Sequence, residues 1–305
     1  YIMKYLVLDV GGTAIKYALM TEKLEFLEKG KIKTPRDSIE NFIDNIGNIY
    51  DKYKNDIEGM ALSIPGVLDS DTGYMYTGGS LEYNTDKNML KVLGERCKTK
   101  IAIENDGKCA ALAELWKGNL QECENGVVIL LGTGVGGGII KDKKLYKGKH
   151  FFAGEFSFIA GNINVMSNND KEWWGSLNGL DGLLDDFVKV KNLNRNEIDG
   201  IKFFEYANND DKDALEILNK FTYKTALAII NLQCILDADK YLIGGGISEQ
   251  DILIKYIKKN IDDYHSQFEY FVPKPVVDRC KFRNDSNLIG ALYNFLIKKW
   301  FKYNK

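Results

Sequence analysis

Asp9, Gly11, Gly12, Thr13 and Lys16 fall within eight residues, directly after the apolar run Tyr5-Leu6-Val7-Leu8. A buried strand thereby delivers an acid, two glycines, a hydroxyl and an ammonium into one tight turn. Glycine lets backbone N–H groups approach phosphate oxygens with no Cβ in the way. Thr13 and Lys16 add donors, and Asp9 can hold a magnesium ion or its waters. The same octet also reads as an ordinary hairpin turn in a sheet protein.

Gly132, Thr133, Gly134, Gly136, Gly137 and Gly138 form a second cluster between apolar strands. Glycine at this density is entropically unfavourable unless the backbone must lie against something. No helix follows and no acid lies at the ribose-binding distance. That disfavours a dinucleotide turn and favours a second phosphate loop, with a glycine-kinked hairpin as the alternative. Gly244, Gly245 and Gly246 fall between a strand and a helix, with Ser248 near the helix start. A loop there can pass close to a nucleotide's base or ribose, or be a plain strand-to-helix turn.

Glu104-Asn105-Asp106 ends a strand expected at 100–103 and precedes a helix expected from Gly107. Polar residues at the carboxyl end of a strand occupy the usual place of an α/β active site. A carboxylate there can take the proton of a hydroxyl attacking a γ-phosphate, or Asp106 can merely cap the helix. Gly154-Glu155 offers another carboxylate. Trp173-Trp174 can stack on a sugar ring or pack in the core. The two histidines, His150 and His265, sit in no constellation, and no Gly-x-Ser-x-Gly elbow occurs, so hydrolase triads find no support.

The elements that must position these residues alternate. Strands are expected near 4–9, 15–20 and 25–33, a helix capped by Ser38 runs to about Tyr53, and residues 60–64 form a strand stopped by Pro65-Gly66. A helix near 85–97 comes before the strand at 100–103. A second run of the same kind starts at Gly126, with strands at 127–131 and 139–141 and a third opened by Leu145-Tyr146. After an irregular Asn-rich stretch at 161–179, helices follow at 181–191, 201–208, 211–236, 249–263 and 287–302, with a strand at 241–243. The two halves repeat one scheme with little residue identity, which suggests two lobes facing a shared nucleotide.

Bulk properties fit that organisation. A chain of 305 residues is long for one core and suggests two domains, with 45% hydrophobic content ample to bury them. A net charge of −2 leaves no basic face for nucleic acid. Five cysteines without a CxxC pair suit reduced thiols in a cytoplasm, and no run of eighteen apolar residues marks a membrane span.

In order, the chain carries Asp9-x-Gly-Gly-Thr-x-x-Lys16, Ile64-Pro65-Gly66, Glu104-Asn105-Asp106, Gly132-Thr133-Gly134-x-Gly-Gly-Gly138, Ala153-Gly154-Glu155 and Gly244-Gly245-Gly246. With these motifs it resembles the ROK family of sugar kinases and sugar-responsive repressors over nearly its whole length. The resemblance implies an α/β, two-lobed actin-like ATPase (ribonuclease H-like) fold closing on ATP and a hexose, and usually a homodimer. The lobes are expected at 1–119, joined by the C-terminal helix 287–305, and at 120–286. It implies Asp106 as the general base on the sugar 6-hydroxyl, Asn105 and Glu155 on other hydroxyls, and Gly66 lining the pocket. It further implies Asp9 serving Mg²⁺, Gly11, Gly12, Thr13 and Lys16 on the phosphates, residues 132–138 as the second phosphate loop, and Gly245 with Gly246 by the adenosine. Family repressors carry a helix-turn-helix ahead of the first motif, and eight residues cannot hold one, so kinase precedes regulator; a sugar sensor without kinase activity is the other class.

The departures matter too. Where members commonly continue Glu-x-Gly-His and then supply a zinc-binding cysteine cluster, this chain reads Glu155-Phe156-Ser157-Phe158, with no cysteine between 123 and 234. No zinc is expected. Ser80 stands where many members have Asn, and Lys108 where a second Asn is usual. Zinc-free members with a stretch like Gly78-Gly79 resemble a branch that includes glucose, β-glucoside and N-acetylmannosamine kinases. Loss of groups that grip the sugar's C1 and C2 side fits a 2-acetamido group or a C1 substituent, and N-acetylmannosamine is the expectation placed first.

Overall fold

Apolar strands bounded by glycine turns build two five-stranded sheets. The computed structural model describes residues 2–161 and 172–303. The stretch expected to be irregular at 161–179 therefore lies partly outside the described residues. Contacts divide the chain into two units. The first takes in the described residues up to Lys117, Lys147–Phe152 and those from Asp285 on; the second takes in Gly118–Tyr146 and the described part of Ala153–Asn284.

In the first unit, β1 (Lys4–Val10), β2 (Ala14–Thr21), β3 (Phe26–Lys33) and helix α1 (Ile39–Tyr53) precede β4 (Met60–Ile64). A small hairpin of β5 (Tyr74–Met75) and β6 (Lys87–Asn88) leads into α2 (Met89–Arg96), β7 (Ile101–Asn105) and α3 (Asp106–Lys117). The sheet order is β3-β2-β1-β4-β7, antiparallel among the first three and parallel from β1 to β7. Leu6, Leu8, Leu62 and Ile103 pack from the sheet against Phe42 and Ile46 of α1 and Leu93 of α2. Ser38 caps α1 by accepting the Asn41 amide at 3.2 Å. The helix expected from residue 85 begins at Met89, because 85–88 are taken up by the hairpin and by Asn88, which caps α2.

Register places the chemistry. Asp9 pairs with Ser63, and Ser63 with Glu104, so three polar residues line up across the carboxyl ends of parallel strands. The C-terminal helix (Ser286–Tyr303) lies against α3 so closely that a Cβ at Gly290 would overlap the carbonyl of Cys109.

The second unit repeats the scheme. Its strands are β8 (Gly126–Leu131), β9 (Val135–Lys141), β10 (Lys144–Tyr146), β11 (Lys240–Gly244) and β12 (Val277–Arg279), in the order β10-β9-β8-β11-β12. Here too the first three are antiparallel and β8, β11 and β12 parallel. Helices α4 (Trp174–Leu177), α5 (Leu180–Lys191), α6 (Gly200–Asn208), α7 (Lys212–Leu236) and α8 (Asp251–His265) complete it. Phe187, Phe203, Phe204 and Phe221 bury their rings with Ile129 and Tyr241 of the sheet. Asp211 caps α7 by accepting the Ala214 amide at 3.0 Å.

The second glycine cluster is not one loop. Only Gly132, Thr133 and Gly134 turn, while Gly136, Gly137 and Gly138 are strand residues paired with Leu130, Ile129 and Val128. Gly137 and Gly138 are buried, and a Cβ at Gly137 would strike the Val128 carbonyl and the Phe156 ring. The small size of Gly137 serves packing within the sheet, and only Gly136 of the three is exposed.

Candidate active site

In the first unit, residues 11–13 form the hairpin connection from β1 to β2. Gly11 N–H donates to Ala14 O at 3.0 Å, and the Thr34 hydroxyl donates to Gly11 O at 2.6 Å. Thr13 and Lys16 are exposed at the turn. Asp9 beside it is buried. Its Oδ1 accepts from Ser63 Oγ at 3.2 Å and from Asn287 Nδ2 at 3.0 Å, and its Oδ2 lies 3.7 Å from Lys16 Nζ. A carboxylate oriented by two neutral donors, with lone pairs left over, is a hard oxygen ligand of the kind Mg²⁺ or its waters take.

Across the same sheet, β7 ends at Asn105 and α3 opens at Asp106. Asn105 is fixed from two sides: its Oδ1 accepts the Lys108 amide at 3.1 Å and its Nδ2 donates to Gly66 O at 3.0 Å. Asn105 thus supplies a capping bond at the start of α3. One amide hydrogen and one lone pair of Asn105 remain available to a ligand. Asp106 Oδ1 accepts the Gly107 amide at 2.8 Å, with the positive end of the helix dipole at its carboxylate.

Gly66 holds φ +106°, and a Cβ there would overlap the carbonyl of Thr77. The Pro65-Gly66 turn and the Gly78-Gly79 turn can therefore lie against each other only without a side chain between them.

Behind Asn105 lies a charge cluster that local spacing does not announce. Glu104 is fully buried; its Oε1 accepts the Asn105 amide at 3.0 Å and its Oε2 lies 3.5 Å from Lys147 Nζ. Lys147 also donates to Ser70 Oγ at 2.7 Å. Lys298 donates to Ser70 O and pairs with Asp71 at 3.1 Å, and burial holds its ammonium below the usual lysine range. Paired carboxylates and ammoniums of this kind fix the 104–106 backbone, because removing one partner leaves a buried charge uncompensated.

In the second unit, residues 132–134 sit beside a cavity of about 410 Å³ whose lining includes Gly132, Thr133, Leu180, Phe204, Gly246 and Gln250. The turn is anchored by the Leu180 amide donating to Gly132 O at 2.8 Å. Gly245 holds φ +90° with its Cα hydrogens against the Leu131 carbonyl, so only glycine lets the chain turn there from β11 towards the cavity. A short 3₁₀ turn at Gly246–Glu249, rather than α8 itself, follows, and Ser248 bonds back to Gly245 O at 2.8 Å. The structure thus brings Gly132, Thr133 and Gly246 to one cavity, apolar on the Leu180 and Phe204 side and with Asp199 and Gln250 among its polar groups.

Glu155, also in this unit, starts the turn Phe156–Phe158. Ser157 Oγ donates to Val135 O at 3.0 Å and accepts Val135 N–H at 3.1 Å, which ties that turn to β9. Phe158 is exposed and packs on exposed Trp173, ring centroids 5.2 Å apart, while Trp174 is core against Phe156. Among the described residues, no group of three or more His, Cys, Asp or Glu is arranged to hold a metal, and no helix is long and apolar enough to cross a membrane.

Spacing along the chain does not reveal Ser63, Asn287, Lys147 or the cavity residues Leu180, Phe204 and Gln250. Each reaches its place through strand register or through a helix distant in the chain.

Comparison with known proteins agrees with this architecture. A glucokinase of Halalkalibacterium halodurans is 30% identical over 97% of this chain and 95% of its own length. A β-glucoside kinase of Listeria monocytogenes is 26% identical over 96% and 98%. A solved Listeria monocytogenes protein, provisionally assigned as an N-acetylmannosamine kinase, superposes with a TM-score of 0.89 at 24% identity, covering 97% of this chain and all of that one. The fold is that of the two-domain, actin-like ATPase sugar kinases. The family profile matches residues 5–298, and the chain belongs to the ROK family.

Proposed function

We propose that this ROK sugar kinase transfers the γ-phosphate of ATP to the 6-hydroxyl of a hexose, with Asp106 as general base and Mg²⁺ as the resident ion. The observation that carries the reading is the fixed Asn105–Asp106 corner. A carboxylate stands at the carboxyl end of a parallel strand, its neighbour is bonded both to the α3 amide and to the Gly66 turn, and the Asp9 carboxylate is oriented on the same sheet.

In the reaction the acceptor oxygen forms the new bond to Pγ as the bond from Pγ to the β–γ bridging oxygen breaks. The electron pair of that bond leaves with ADP, and the hydroxyl proton passes to an Asp106 carboxylate oxygen. Asn105 and Glu155 hold other sugar hydroxyls, and Gly66 admits the ring. Gly11, Gly12, Thr13 and Lys16 take phosphate oxygens, as do Gly132, Thr133, Gly134 and exposed Gly136. Gly245 and Gly246 border the adenosine in the cavity with Leu180 and Phe204. Gly137 and Gly138, buried in β9, belong to the same proposed loop behind that turn. Asp9 would hold the ion, which neutralises charge on the β- and γ-oxygens when bound. The remaining catalysis comes from positioning.

N-acetylmannosamine is the acceptor we place first. An apolar Phe158 ring stands where the family's histidine would grip the sugar, which relaxes demands at C1 and C2. Glucose and β-glucosides are the alternatives, and the match to a glucokinase and a β-glucoside kinase favours keeping both. We also read the chain as a homodimer without structural zinc.

Coupled ADP release over N-acetylmannosamine, glucose, cellobiose, fructose and N-acetylglucosamine tests activity and acceptor together. Asp106→Asn is expected to lower turnover about 10²–10⁴-fold with an unchanged melting temperature. Near-normal turnover would remove Asp106 from the mechanism. A sugar sensor without kinase activity would reveal itself by sugar-induced thermal stabilisation with no ADP release on any member of the panel.

A further inference from the structure

Arg36 belongs to none of the motifs above. It follows β3 in the segment Thr34-Pro35-Arg36, is exposed, and has no carboxylate within ion-pair distance among the described residues. Its guanidinium is nevertheless held in place. Nη1 donates to Gly12 O at 3.1 Å and Nη2 donates to Ser80 O at 3.3 Å. The segment leading to it is tied to the same turn, since Thr34 N donates to Thr13 O at 3.0 Å and Thr34 Oγ1 to Gly11 O. On the other side, the Tyr83 hydroxyl donates to Pro35 O at 2.7 Å.

Two neutral carbonyls orient a guanidinium without neutralising it. Arg carries five N–H donors in a rigid fork, and two are engaged here. The rest stay with a full positive charge, on an exposed side chain, against the glycine turn that our functional reading assigns to the phosphates. A Cβ at Gly12 would stand 3.0 Å from Ser80 Oγ and 3.8 Å from Arg36 Nη1, so turn, loop and cation meet at one point. The Ser80 loop in turn leads to the acceptor corner. A Cβ at Gly79 would stand 2.9 Å from Gly66 N, and Gly66 O accepts from Asn105. Arg36 therefore spans from the phosphate turn to the loop that borders the acceptor, all within the first unit.

We propose that Arg36 is a catalytic cation that contacts the terminal phosphate of the nucleotide and stabilises the phosphoryl group in transit, an arginine finger supplied in cis. The proposal rests on the kinase reading above. Charge on the three equatorial oxygens of the transferring group is what such an arginine answers, and its donors pair with phosphate in fork geometry. A nucleotide lacking the terminal phosphate should not engage it.

The test is calorimetric binding of AMP-PNP and of ADP, each with Mg²⁺, to the full chain, set beside steady-state kinetics. Arg36→Gln is expected to weaken AMP-PNP binding about tenfold or more while ADP binding stays within about twofold, and to lower kcat about 10²–10³-fold with little change in sugar KM. Arg36→Lys should keep the charge, lose the fork and recover part of the loss. Equal weakening of both nucleotides would overturn the proposal and leave Arg36 as a clamp between Gly12 and Ser80. Unchanged kcat in Arg36→Gln would overturn it as well. A wild-type protein that prefers AMP-PNP through Arg36 yet phosphorylates no sugar would refute the kinase reading while upholding the contact. Wild-type protein that binds neither nucleotide would sink both.

Discussion

A single side chain does several jobs where β7 meets α3. Asn105 caps α3 with its oxygen and holds the Gly66 turn with its nitrogen, so its remaining hydrogen and lone pair point wherever those two bonds leave them. That is preorganisation by ordinary hydrogen bonds, and it makes the site sensitive to changes that touch no ligand. Gly66→Ala would force a Cβ into the Thr77 carbonyl at φ +106°. We expect sugar KM to rise about tenfold or more while ADP affinity is unchanged, measured by kinetics and calorimetry on the same preparation. Lys147→Met should reduce kcat through the unpaired buried Glu104, and adding Glu104→Gln should restore thermal stability by removing that charge, a cycle read by melting curves.

Among the elements, α7 shows how sequence chemistry starts a helix. Asp211 accepts the Ala214 amide and pairs with Lys191 at 2.6 Å, and that cation is the main reason its carboxyl lies below the ordinary range. Asp211→Ala is expected to destabilise by about 1 kcal/mol at neutral pH in urea titrations. A folded-state pKa below the unfolded one means the stabilisation is complete above the ordinary value of 3.8. It is lost as pH falls through the lower folded value, so wild type and variant should converge in acid. Where α3 meets the C-terminal helix, the limit is steric. Gly290→Ala would press a methyl onto the Cys109 carbonyl and should cost about 1–3 kcal/mol in the same assay.

For the molecule as a whole, two units each bury their own core while repeating one strand order, three antiparallel strands and then parallel ones. Thiol chemistry reports on both units. Cys97 is pushed up to about 11 by burial, burial raises Cys109 as well, and Cys123 and Cys280 are buried, which leaves Cys234 exposed. We expect one thiol to react quickly with Ellman's reagent in the native protein and all five in denaturant. Fast reaction of a second thiol would indicate an opening of one of the cores.

What the sequence by itself determined was local. Apolar runs, turn glycines and caps such as Ser38 identified most strands and helices, because these depend on residues a few positions apart. The order of six motifs identified the family and nominated Asp9, Asn105 and Asp106. Tertiary structure decided what depends on register and on distant chain. It set Asp9 beside Ser63 and Ser63 beside Glu104, brought Asn287 to Asp9 from the last helix, and placed Arg36 on the Gly12 carbonyl. It also split the second glycine cluster into a turn and a strand, since whether a glycine faces a ligand or a packed ring is settled by what the fold puts opposite it. Side-chain partners across a sheet or between helices come from long-range packing, which a linear pattern does not encode.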